Sequence, residues 1–99
     1  MQYHIDKSAK SHKGKTGPEI EKLCENAKRV LEEYSRRENW NISVDVGYAS
    51  GNLAEGPEET KRLKTLQALE CHVRQFPGAY DKTLDVEEVL ASFSPPELD

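Results

Sequence analysis

The strongest constraint on this chain is a change of period between Pro18 and Tyr48. From Glu19 to Arg37 the residues Ile20, Leu23, Cys24, Ala27, Val30, Leu31 and Tyr34 recur at steps of three and four. That spacing draws one apolar stripe along an α-helix and leaves the charges on its other side. From Asn41 to Tyr48 the period drops to two. Ile42, Val44, Val46 and Tyr48 face one way, and Ser43, Asp45 and Gly47 the other, the pattern of a half-buried strand. A helix followed directly by a strand is the seed of a small core with both kinds of element.

The flanks extend that seed. Gln2 to Asp6 reads as a short strand with Tyr3 and Ile5 on one side, and Lys7 to Gly17 as an exposed polar loop. Thr16-Gly17-Pro18-Glu19 starts the helix, either with Thr16 capping and Glu19 closing a capping box, or with Gly17 capping and Pro18 in first place. Ala49 to Asn52 reads as a turn, and Leu53-Ala54 either adds a third short strand or leads onward. Gly56-Pro57-Glu58-Glu59 opens a second helix with Leu63, Leu66, Leu69, Val73 and Phe76 on its apolar face, ended by Pro77-Gly78. Asp85 caps a short third helix carrying Val86, Val89, Leu90 and Phe93, and Pro95-Pro96 stops it.

The order β-α-β-(β)-α-α predicts an α+β fold: a layer with a two- or three-stranded sheet and an extra C-terminal helix. Residues 1–80 would form the core domain, with 81–99 an acidic helix and tail packed on it. The first two strands should pair in parallel unless another intervenes. So thin a sheet leaves the chain a monomer or a homodimer joined through an edge.

With 35% hydrophobic and 32% charged residues and a mean hydropathy of −0.82, the chain is polar, yet its apolar residues are patterned, which sets it apart from disordered sequences. No apolar run reaches the ~20 residues that cross a bilayer, and the N-terminus lacks the apolar core of a signal peptide, so a cytoplasmic protein without membrane partners is expected. There Cys24 and Cys71 should stay reduced, and the sequon Asn41-Ile42-Ser43 has no meaning. The net charge of −4 is unevenly spread: +3 over residues 1–17, −4 over 39–60, +3 over 61–80 and −5 over 81–99. A basic end and an acidic end suit protein partners better than uniform nucleic-acid binding.

Chemistry is thinly signalled. Ala9 to Thr16 fits a relaxed phosphate-loop pattern, but Gly17-Pro18 interrupts where the helix should already run, so a solvated lysine-rich loop is the better reading. His4, His12, Cys24, Cys71 and His72 have no zinc spacing, and neighbouring Cys71 and His72 point about 100° apart on one helix. No cofactor, metal or catalytic residue is implied. Two binding surfaces remain. Asp85, Glu87, Glu88, Glu97 and Asp99 would present an anionic ridge to a basic, nucleic-acid-handling protein. Alternatively Lys7, Lys10, Lys13 and Lys15 would grip a phosphate backbone, although no aromatic residue interleaves with them to stack bases. Trp40 is a lid on the core or a partner anchor.

In element order, and in Ile5-Asp6-Lys7, Ile20, Leu23, Leu31, Ile42-Ser43-Val44, Tyr48 to Leu53 and Lys61-Arg62-Leu63, the chain resembles the DinI family of small SOS-response regulators of bacteria and phages. The resemblance implies a β-α-β-β-α fold, binding to the RecA recombinase filament, and no catalysis. Family members make that contact with an acidic second helix. Here the second helix carries Lys61, Arg62, Lys64 and Arg74, so the acids of 81–99 would supply the charge from another place. The reading that follows is a non-enzymatic regulator or inhibitor of a nucleic-acid-handling protein.

Overall fold

A computed structural model describes residues 1–8, 12–48 and 52–97. The elements are β1 (Gln2–Asp6), α1 (Gly17–Arg37), β2 (Ser43–Gly47), α2 (Gly56–Arg74) and α3 (Val86–Ser92). β1 and β2 pair in parallel, with Tyr3 opposite Val44 and Ile5 opposite Val46, and they form a two-stranded sheet. The fold is α+β, as the periods require.

Of the two sequence readings of the start of α1, the structure takes the first: Thr16 is the cap, and Gly17 is the first helical residue rather than the cap. Thr16 Oγ1 accepts the Glu19 N–H at 3.3 Å, Glu19 Oε1 accepts the Thr16 N–H at 3.1 Å, and Pro18 sits in the first turn, where its missing N–H costs nothing. At the far end Asn39 takes φ 59°, and the Trp40 N–H returns to the Ser35 carbonyl at 2.8 Å. Asparagine tolerates that left-handed turn better than most residues, so the helix stops and the chain reverses into β2.

Helix α1 lays Leu23, Ala27, Val30 and Leu31 against the strand side chains Tyr3, Ile5 and Val44, all buried, and α2 adds Leu66, Leu69 and Val73. Each of the valines, leucines and the isoleucine contributes about 1.5–3 kcal/mol when removed from water. Tyr3 also reaches α2: its hydroxyl donates to Glu70 Oε1 at 2.7 Å. Burial, with the Glu70 carboxylate beside it, pushes the phenol well above its usual range. The unfolded chain releases this proton at about pH 10 while the folded chain keeps it. Stability is therefore complete below that pH and declines as pH rises above it. Tyr3→Phe should flatten the alkaline decline at a neutral-pH cost of about 1 kcal/mol, read by urea unfolding at neutral pH and at about pH 11.

Two expectations about the sheet change. β2 stops at Gly47, so Tyr48 escapes the inward alternation and is 79% exposed. Leu53-Ala54-Glu55 forms no strand; Leu53 is 87% exposed, and among the described residues the sheet has no third member. The neighbouring residue explains why. Asn52 Oδ1 accepts the His4 N–H at 2.6 Å and its Nδ2 donates to the His4 carbonyl at 3.1 Å. One side-chain amide thus occupies the ladder position on β1 that a third strand would take. The Asp6 carbonyl, next along the same edge, accepts from His12 Nε2 at 3.0 Å. His12 is buried by this contact, contrary to the solvated loop expected for it.

Candidate binding surfaces

Helix α1 is a ruler about 30 Å long that holds the two charged segments apart. Of the loop lysines, Lys7, Lys13 and Lys15 stand at its N-terminal end, before the Thr16 cap. α3 packs against α1, and Arg37 in the last turn of α1 holds Glu87 at 2.5 Å. The segregation of charge seen along the sequence is therefore also a separation in space.

At the acidic end the five predicted residues have different roles. Asp85 Oδ1 accepts the N–H groups of Glu87 and Glu88 at 3.0 and 3.3 Å, which satisfies two donors at the start of α3. Glu87 is tied to Arg37, which also bonds Glu33 at 2.9 Å. Glu88 and Glu97 are exposed and make no ion pair with a described residue. Asp99 lies outside the described residues. The ridge available to a partner is thus narrower than the sequence suggested: two of its acids have structural duties.

At the basic end Lys10 lies outside the described residues, while Lys13 and Lys15 are exposed. Here the fold supplies what the sequence lacked. Lys7 Nζ stands 5.8 Å from the centre of the exposed Tyr48 ring, and Lys15 Nζ is 4.3 Å from that of Tyr80. Residues 33 or more positions downstream bring aromatic faces to the lysines, contacts no local reading of residues 7–15 could find. A groove of about 440 Å³, lined by Lys7, Pro18, Ile20, Glu21 and Tyr48, opens beside them. Of the phosphate-loop pattern, residues 9–11 lie outside the described residues, and Thr16, whose hydroxyl would sit on magnesium in such a loop, uses it in the α1 cap.

Trp40 is partly buried, edge-on to Tyr34 at 5.6 Å, with the Arg62 guanidinium 5.4 Å above its ring. Tyr34 in turn meets Phe93, and Phe93 meets His72, whose Nε2 is 2.9 Å from Ser92 Oγ. These rings bind the ends of α1, α2 and α3 together, so Trp40 and His72 serve packing. Cys24 is buried and unpaired, its thiol pushed up from the usual range by that burial. Cys71 is exposed and free. Among the described residues no cluster of His, Cys, Asp or Glu could hold a metal ion, and no helix is long and apolar enough to cross a membrane.

The residue that sequence reasoning passed over is Asn26. It is 2% exposed, and its Nδ2 donates to the carbonyls of Ala79 at 2.8 Å and Asp81 at 2.9 Å, with Gly78 at 3.4 Å. Its Oδ1 accepts from Arg29 Nη2 at 2.9 Å. The signal was present: an amide inside the apolar stripe of α1, three residues from Leu23 and four from Val30. Compared with known protein families, curated proteins and solved structures, the chain matches none.

Proposed function

We propose that this chain is a binding protein without a reaction of its own, which engages a basic, nucleic-acid-handling protein through its acidic end. The carrying observation is the opposite charge at the two ends of α1, with Glu88 exposed on a helix that Asp85 caps and Arg37 anchors, and Glu97 exposed in the segment that follows it. A fixed acidic face on a small rigid body attracts a cationic partner surface and steers its approach. The likeness to DinI names a first partner to test, a RecA filament. Immobilised protein should retain such filaments, or another DNA- or RNA-handling protein, at low salt and release them as salt rises. Glu88→Lys with Glu97→Lys should weaken retention by about tenfold, for a loss of ~1.4 kcal/mol. Retention unchanged by the double reversal would sink the assignment to this face.

A second reading is supported by the rings at the basic end. Tyr48 and Tyr80 beside Lys7 and Lys15 form the pairing of cation and aromatic face that single-stranded nucleic acid uses. In a mobility-shift assay this reading predicts binding that weakens steeply with salt and is lost on neutralising Lys7, Lys10, Lys13 and Lys15. The absence of any shift at low salt would eliminate it.

A further inference from the structure

The two edges of the sheet are treated unequally. Because the Ser43 N–H bonds the Met1 carbonyl and the Lys7 N–H bonds the Gly47 carbonyl, the parallel ladder uses alternate residues on each strand. Tyr3 and Ile5 of β1, and Ser43, Asp45 and Gly47 of β2, turn their backbone groups toward each other. His4 and Asp6 turn theirs to the outside of β1, where Asn52 and His12 meet them. Val44 and Val46 turn theirs to the outside of β2, and no described residue bonds them there. One edge is blocked by side chains, and among the described residues the other has no partner for its ladder groups.

We infer that β2 pairs antiparallel with β2 of a second copy of this chain, joining two two-stranded sheets into one of four strands. The strand is its own complement. Centred on Val44, the pairing sets Val44 opposite itself and Ile42 opposite the partner's Val46, apolar against apolar on the helix-covered side. On the open side it sets Ser43 opposite the partner's Asp45, a hydroxyl donor facing a carboxylate acceptor. The alternative centred on Asp45 would bring two carboxylates face to face, which like-charge repulsion disfavours. A two-stranded sheet is the least self-sufficient kind, and three or more strands over one apolar face are what holds independently.

Sedimentation equilibrium across a concentration series should show the mass rising from 11.2 kDa toward twice that value. Val46→Pro removes an outward N–H from each copy and should raise the dissociation constant by about tenfold or more. In a Cys71→Ser background, Ser43→Cys with Asp45→Cys should oxidise to a covalent dimer. Residues in such open pairs lie about 4.5 Å apart, within disulfide reach. This arm does not depend on the proline variant folding. A single-chain mass at millimolar concentration, with no cross-linked dimer, overturns the pairing, and so does a dimer that Val46→Pro leaves intact while the cysteines fail to join. A chain that stays single yet takes up an added strand peptide also overturns it.

Discussion

Replacing Asn26 by leucine should cost about 3 kcal/mol of folding stability, the largest effect expected from any single polar residue here. The substitution strands the buried Ala79 carbonyl, which loses the donor that replaced water when the chain folded, and takes a donor from the part-buried Asp81 carbonyl. A buried acceptor left bare costs about 1–3 kcal/mol, and the added apolar surface recovers only part of that. Against the 5–15 kcal/mol that typically holds a domain together, the loss is large, and the melting temperature should fall by roughly 15 °C. Asn26→Asp separates the donor from the shape. Near neutral pH it presents a carboxylate to carbonyl oxygens and should be at least as damaging. The folded site favours the neutral form of the introduced carboxyl, which raises its pKa, so the variant should recover stability as pH falls through that pKa. Urea unfolding at neutral and mildly acidic pH reads both effects, and a leucine variant within 1 kcal/mol of the parent would contradict this account.

Gly78→Ala should cost about 3 kcal/mol by a different route. Gly78 has φ +83°, where a side chain costs roughly 1–2 kcal/mol. A Cβ there would also run into Thr83 Oγ1, the Leu84 nitrogen at 2.7 Å and the Thr83 carbonyl carbon at 2.8 Å. Two of these three are backbone and cannot swing away. The segment they belong to is already drawn tight. Asp81 Oδ1 accepts both the Thr83 N–H at 2.7 Å and its hydroxyl at 2.5 Å, and these bonds hold the Asp81 carboxyl below the usual carboxylate range. Since Asn26 grips the carbonyls of this same turn, the two substitutions should not add. Asn26→Leu with Gly78→Ala should lose less than the sum of the singles, because the first already frees the turn that the second distorts. Strict additivity in thermal unfolding would mean that amide and glycine act on separate features.

These two residues mark where local reading ran out. Periodicity, capping chemistry and helix punctuation located both strands and all three helices, because each signal lies within a few residues of the element it specifies. Thr16 and Glu19 show this best, since the box they close spans four residues. Asn26 was visible as a polar interruption, but its partners lie more than 50 positions away. Asn52 on His4, 48 positions apart, and Tyr80 under Lys15 were hidden by distance in the same way. His12 and Tyr48 were misjudged for a related reason: each followed its local pattern, and a distant contact or an early strand end overrode it. The acidic surface was partly legible. Glu88 and Glu97 stayed exposed, while the pairing of Glu87 with Arg37 depended on how α3 docks. The order of elements likewise left the fate of Leu53 open, which the amide of Asn52 decides.

The bonds made by β1 carry a consequence for biosynthesis. Residues 2–6 leave the ribosome before the residues they bond, which are 43–47, Asn52 and Glu70. Tyr3 and Ile5 must therefore travel unsheltered until residues 43–70 have been made, and closure of so wide a loop comes late in acquiring the native form. A nascent chain arrested before residue 43 should consequently leave this segment open to protease, and one extended past residue 70 and clear of the exit tunnel should protect it.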